Sequence, residues 1–367
     1  MKVALIVPGG VDRGGKVRVI PCLLWMIERL ARRHEIHVFA LRQEPQPSHY
    51  LLLGAHVHNA GSRPRRLRLV MQFLEQHRKA KFDVIHAVWA APPGAIAALL
   101  GRVLGIPVLL RLTGGDLTSI PDISYGQRRT WRGRLWLRLA VWGAAHITVP
   151  SSAMQQAAAA IGIGAERLPW GVALDRLPAV TPRPRPSDRP ARLLFVGSLN
   201  RVKDPSCLLR AAKLLLDRGI SFHLDLVGVD LFDGEFERLA RNLGLSTYVR
   251  FHGFQTQNRV FEMMAAADLL IVSSRHEADP LVALEAAVAG TPTVGTAVGH
   301  LADWAPLAAA VVPPSEPTAL AEVVIELLSD DGRRMAIALA AQQRALREDS
   351  DWSATRVLEI YEQLQRR

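Results

Sequence analysis

Short, near-continuously apolar runs alternate with longer stretches of helical period along this chain. In the first half the runs are KVALIV (2–7), EIHVFA (35–40), DVIHA (83–87), PVLLRL (107–112) and HITV (146–149). Runs of this kind read as strands buried on both faces, because a strand with one wet face alternates polar and apolar residues. Between them lie helical patterns, for example Val19 to Arg32 and Pro92 to Leu104. A second series follows, RLLFVG (192–197), FHLDLVG (222–228), YVRFHG (248–253), DLLIVS (268–273) and PTVGT (292–296). Asp204-Pro205 supplies an N-cap and a first-turn proline for a helix that Gly219 stops. Strand and helix in alternation predict α/β architecture, with parallel sheets covered by helices on both faces.

Between the two series stands PAVTPRPRPSDRPAR, Pro178 to Arg192. Its proline density sustains neither a helix nor an inner strand, so it reads as a linker. The 367 residues therefore divide into a domain over 1–177, a linker over 178–192, a second domain over 193–350, and a final helix over 351–367 that can pack back on the first domain. Two such domains leave a central cleft, and ligands bind where strand carboxyl ends meet a crevice.

Composition narrows this picture. Hydrophobic residues make up 49% and charged residues 22%, the balance of a globular chain. The net charge of +11 favours anionic partners, whether nucleic acid, a phosphate-bearing substrate or an acidic membrane surface. No nucleic-acid-binding module is recognisable, so nucleic acid is not expected. The two cysteines, Cys22 and Cys207, form no disulfide framework and fit a reducing, cytoplasmic setting. The start, MKVALIVPGG, reads as a first strand and not as a signal peptide, and no apolar run approaches the ~18 residues of a membrane span. The twelve histidines have no metal-ligand spacing, and no aspartate pair follows a strand.

The chemistry concentrates in SSRHEADPLVALEAAVAGTP, Ser273 to Pro292. Two glutamates, Glu277 and Glu285, stand among small and apolar residues, where carboxylates are rare without a partner. Asp279-Pro280 reads as N-cap and first helical position of a short helix, Leu281 to Ala289, closed by Gly290 and Pro292. Glu277 then lies in the loop after a strand and Glu285 inside the helix. The free N–H groups near Leu281 and Val282 favour an anion. A sugar hydroxyl, a diphosphate and a ribose would satisfy these three features.

HEADPLVALEAAVAGTPTVGTAVG resembles the E-x7-E signature of retaining glycosyltransferases of the group 1 (family 4) class, which have the GT-B fold. LLFVGSLNRVKD looks like that family's V-G-R-L-x-x-x-K-G segment, and GGVDRGGKVRVI like its N-terminal glycine-rich loop. LRLTGGDL resembles its H-G-x-D loop, and PWGVALDRL its P-N-G-V-D motif. The resemblance implies two Rossmann-like domains. It also implies transfer of a sugar, with retention, from a UDP-, GDP- or ADP-sugar co-substrate to a sugar, polyol or lipid-linked acceptor in polysaccharide or glycoconjugate synthesis. No cofactor and no metal are implied. Residue by residue it places Glu277 on the donor sugar, Glu285 on the ribose, and Lys203 and Arg201 on the diphosphate. Gly14, Gly15, Gly197, Ser198, Pro280, Leu281 and Val282 would line the nucleotide-sugar, and Thr113 would touch the sugar. The family carries an arginine at the place of Ser198, a histidine at Thr113, and a glycine and an aromatic at Ala278 and Asp279. These departures keep open a non-catalytic relative that binds a sugar nucleotide as a regulatory subunit.

Two further stretches, Ser62 to Phe82 and Gln127 to Trp142, mix arginines with apolar residues at helical spacing. They read either as helices docked on their own domain or as a face for an anionic membrane, which would make the enzyme peripheral on the inner leaflet.

Overall fold

A computed structural model describes residues 1–366, and the described chain divides into two compact units, Met1–Gly171 with 350–366, and Val172–Asp349. The first unit holds a sheet of β1 (Lys2–Val7), β2 (Glu35–Ala40), β3 (Ser48–Leu52), β4 (Ala55–Asn59), β5 (Val84–Val88), β6 (Val108–Arg111), β7 (His146–Val149) and β8 (Glu166–Arg167), in the order β3-β4-β2-β1-β5-β6-β7-β8. All pairings are parallel except β3 with β4. The central β1 is buried along its whole length, as its unbroken apolar sequence requires. Its helices are α1 (Pro21–Ala31), α2 (Arg65–Lys79), α3 (Ala95–Leu104), α4 (Trp131–Gly143) and α5 (Ser152–Ala159).

The second unit holds β9 (Ala191–Val196), β10 (Phe222–Val227), β11 (Val249–Phe251), β12 (Leu269–Val272), β13 (Thr293–Thr296) and β14 (Ala310–Val312), all parallel, in the order β11-β10-β9-β12-β13-β14. Its helices are α6 (Pro205–Asp217), α7 (Glu235–Asn242), α8 (Gln257–Ala266), α9 (Leu281–Val288), α10 (His300–Trp304), α11 (Pro317–Ser329) and α12 (Asp331–Arg347). Leu193, Phe195, Leu224, Leu226 and Leu269 lie in its core with Leu208 and Leu215 of α6. Asp204 caps α6 through Cys207 N–H (3.0 Å), with Pro205 in the first turn.

Residues 178–192, read from sequence as a linker, are fastened into the second unit. Asp268 is buried and accepts both arms of the Arg189 guanidinium (2.8 and 2.8 Å) and the Arg192 N–H (2.8 Å). Buried Arg334 donates to the Arg183 carbonyl (2.8 Å), and Gln342 to the Val180 carbonyl (2.8 Å). Proline removes backbone donors, so arginine side chains and neighbouring helices supply the hydrogen bonds that a ladder would. The units part at Gly171, ahead of the expected 177.

The last helix, α13 (Ser350–Gln365), belongs to the first unit and packs on α1. Arg29 grips Asp351 with two hydrogen bonds (3.0 and 2.9 Å). The Tyr361 hydroxyl and His86 Nδ1, both fully buried, share a 2.7 Å hydrogen bond. Burial lowers His86 to about 3, so this imidazole is a neutral structural group. Among the described residues no helix is long and apolar enough to cross a membrane.

Candidate active site

In the second unit the chemistry gathers where β9 and its parallel neighbour β12 end. After β9 come Gly197 and the exposed Ser198, then a turn that Asn200 closes by accepting from Val202 N–H and Lys203 N–H (3.0 Å each). After β12, Ser273 donates to the Lys203 carbonyl (2.8 Å) and Arg275 N–H to the Val202 carbonyl (2.7 Å). These two bonds lace the loops together. The Lys203 ammonium consequently reaches the Glu277 carboxylate, whose Oε1 also accepts from the Ser274 hydroxyl (2.7 Å). Lys203 and Glu277, far apart in sequence, are thus an ion pair. Arg201 is aimed elsewhere: it pairs with Glu235 (2.9 Å) and lies over the Phe232 ring (4.9 Å).

The helix after Glu277 differs from expectation at its start. Pro280 is the N-cap, and no side chain caps α9. Asp279 is withheld because its buried carboxylate meets His300 Nδ1 at 2.5 Å. The N–H groups of Leu281 and Val282 therefore have no intrahelical acceptor and no capping oxygen. Gly299 lets α10 come this close: its φ is +51°, and a Cβ there would lie 2.7 Å from Pro280 Cδ.

Glu285 projects from the second turn of α9 and is buried. Its one hydrogen-bond partner among the described residues is Gln257 Nε2 (3.0 Å), and no cation meets it. Burial pushes its carboxyl up to about 7, with the Gln257 bond pulling the other way. A buried acid without a counter-charge is costly to the fold, which makes Glu285 a candidate functional residue.

The first unit brings its own sequence-singled residues to the carboxyl ends of its strands. Gly14 and Gly15 form an exposed turn on Asp12, which accepts from Gly14 N–H (3.1 Å) and Gly15 N–H (2.8 Å). Thr113 follows β6 and is buried, its N–H on Asp116 (2.9 Å). The other oxygen of Asp116 takes Ala90 N–H (3.1 Å), so Asp116 joins two loops. Burial raises Asp116 to about 7 against these two hydrogen bonds.

Ser274, Asn200, Gln257 and His300 were not visible as site residues in the sequence. Gln257 and His300 act through partners remote in the chain, Glu285 and Asp279, which no local pattern announces. Ser274 and Asn200 act on near neighbours, but a serine or an asparagine in a loop has many such uses. Gln43 was likewise missed; buried, it accepts from Gly10 N–H (2.7 Å) and Val11 N–H (2.9 Å) and so fixes the loop after β1.

Two parallel α/β units with these strand-end loops define a glycosyltransferase of GT-B fold. Residues 181–344 match the model for "Glycosyl transferases group 1" and residues 19–171 that for "Glycosyl transferase 4-like domain". A D-inositol 3-phosphate glycosyltransferase of Catenulispora acidiphila is 30% identical over 309 residues, 76% of this chain and 72% of that one. The chain belongs to the group 1 glycosyltransferase family. Against several other curated relatives the matched stretch spans only 42% of their length. In fold it resembles sucrose-phosphate synthase from Thermosynechococcus elongatus, with a TM-score of 0.83 and 21% identity over 99% of this chain and 98% of that one. It also resembles HepE of Anabaena solved with UDP and glucose, with a TM-score of 0.77 and 20% identity over 99% and 100% of the two chains.

Proposed function

We propose that this chain is a retaining glycosyltransferase in which the second unit binds a nucleoside diphosphate sugar and the first unit receives the acceptor. The observation that carries this reading is Glu285, a buried carboxylate with no counter-charge, behind the uncapped start of α9 and the Lys203–Glu277 pair. Glu285 accepts two ribose hydroxyls, which supply the donors the fold withholds. The N–H groups of Leu281 and Val282 at the Pro280 cap, with the Gly197–Ser198 turn, hold the diphosphate. Lys203 meets the charge that grows on the departing phosphate, and Glu277 holds the donor sugar. Arg201 serves the diphosphate only after leaving Glu235. The Gly14–Gly15 turn lets backbone approach the donor phosphates, and Thr113 touches the sugar. The C1–oxygen bond to phosphate breaks, the acceptor oxygen bonds C1 on the same face, and the acceptor proton leaves with the diphosphate.

UDP-sugars come first among donors, since the HepE neighbour was solved with UDP and glucose. A sugar, polyol or lipid-linked molecule is the acceptor, and the Catenulispora relative names a phosphorylated polyol. We place the enzyme in the cytoplasm, resting on the inner leaflet through its basic first-unit face. The test is a thermal-shift screen with UDP-, GDP- and ADP-sugars, in which a ligand at 100 times its Kd adds about 2.7 kcal/mol. No stabilisation by any of them removes the donor site.

A further inference from the structure

We infer that the first unit carries a phosphate-binding pocket of four arginines, Arg18, Arg42, Arg63 and Arg65, which holds a phosphate group on the acceptor. The inference deepens the acceptor role proposed for this unit and rests on it. The pocket is a cavity of about 530 Å³, lined by these arginines together with Gly10 and Ser62.

Its position follows from the sheet. Arg18 comes from the loop after β1, Arg42 follows β2, and Arg63 and Arg65 follow β4. Those three strands are neighbours and parallel, so the four side chains arrive from one edge, at the carboxyl ends where open α/β sheets bind ligands. Gln43 fixes the floor by taking the Gly10 and Val11 N–H groups, and its Nε2 donates to the Arg18 carbonyl (3.3 Å).

The charge balance asks for an anion. Two carboxylates are near. Asp12 pairs with Arg18 (3.1 Å), while Glu44, which also lines the pocket, is engaged by Arg13 (3.6 Å) and the Ser48 hydroxyl (2.6 Å). Arg42, Arg63 and Arg65 have no carboxylate partner among the described residues. Like charges gathered without a counter-ion repel one another.

The helix beside the pocket points the same way. α2 begins with Arg65, Arg66 and Arg68 and has no acidic residue in its first turn and no capping side chain. Cations at the positive end of a helix oppose its dipole. An anion in the pocket relieves both conflicts, and a planar guanidinium matches a phosphate with two parallel hydrogen bonds. The phosphate sits either on a soluble sugar or polyol ester or in a lipid headgroup.

The probe is glucose 6-phosphate, titrated calorimetrically at low salt into the full chain saturated with UDP, with glucose as the neutral control. Wild type binds the ester and not glucose, and the affinity falls with added salt. Arg42→Gln/Arg63→Gln changes two exposed side chains outside the donor site; it weakens the ester about tenfold or more and leaves UDP affinity unchanged. Vesicles of phosphatidic acid in phosphatidylcholine are the second arm. Loss of vesicle binding in the double variant, compared with phosphatidylcholine alone, assigns the phosphate to a lipid, and loss of ester binding assigns it to a soluble acceptor. Equal binding by wild type and double variant in both arms overturns the pocket, as does a wild type that binds UDP but neither phosphate probe. Failure to bind UDP strikes the donor reading instead, and the ester titration without UDP still decides the pocket.

Discussion

Because the folded chain holds the Glu285 proton more tightly than the unfolded chain, the stability attached to it is complete below the ordinary value of 4.5 and is lost as pH rises through about 7. The loss amounts to about 3 kcal/mol at most. Glu285→Gln keeps the shape and removes the charge. The variant melts higher than wild type near pH ~8 and about equally near pH ~5, yet binds UDP more weakly, by about 1.5–3 kcal/mol for a lost charge-assisted bond. Melting curves at both pH values and calorimetric titration of UDP check the two halves separately. Unchanged UDP affinity removes Glu285 from the ribose. Lys203→Ala tests the other end of the site. Charge on the leaving phosphate grows toward the transition state, so kcat falls about 10²–10³-fold while KM moves little. A raised KM at constant kcat makes Lys203 a binding group only. Glu277 and Glu285 could be singled out in the sequence because charge is rare in so apolar a stretch. The His300 partnership of Asp279 could not, since Asp-Pro before a helix signals a cap by itself and only the chain's return at Gly299 overrules it.

At the scale of elements, Asp268 ties the proline-rich segment to the second unit. Burial opposes its charge, but the Arg189 hydrogen bonds and the Arg192 N–H outweigh it and hold the carboxyl below its ordinary value of 3.8. The stability it gives is therefore present above that value and lost as pH falls below it. Asp268→Asn removes one partner of a buried pair and costs about 3 kcal/mol at neutral pH, read by urea unfolding; the difference from wild type shrinks under acid. A cost that stays constant down to acid pH would detach the effect from the charge. The buried parallel strands were legible because an unbroken apolar run has few other uses. The β3–β4 hairpin was not. Its turn is Leu53-Gly54 with φ of +51° and +82°, the two-residue geometry for which Asn-Gly is the usual signal. Its strands carry His49, His56 and His58, which count as polar in a hydropathy reading. In the fold His56 and His58 stack on His37, His58 also on Phe39, and His49 packs against His56 and His58, as aromatic rings do.

The whole molecule carries a net charge of +11, and part of it lies on a face that is also apolar. Trp131 (63% exposed), Leu135 (57%), Leu67 (60%) and Met71 (61%) stand out from α4 and α2. Arg66 lies over the Trp136 ring at 5.0 Å and joins the two helices. Each arginine near an anionic leaflet contributes about 1 kcal/mol of attraction, and indole rings favour the headgroup region. Co-sedimentation is expected with anionic vesicles and not with neutral ones, and it falls with added salt. Trp131→Ala/Leu135→Ala reduces it. Failure to bind anionic vesicles at low salt leaves the exposed tryptophan without a membrane.

The return of α13 to the first unit sets a timetable for synthesis. A ribosome delivers Met1–Gly171 first, but Arg29 and His86 meet Asp351 and Tyr361 only after the last helix has emerged. In between, all of Val172–Asp349 must be translated, roughly ten to forty seconds at ordinary elongation rates. The second unit is contiguous and can close as it leaves the exit tunnel. The first waits with the flank of α1 bare, which makes the earlier-born half of the nascent chain the later to mature.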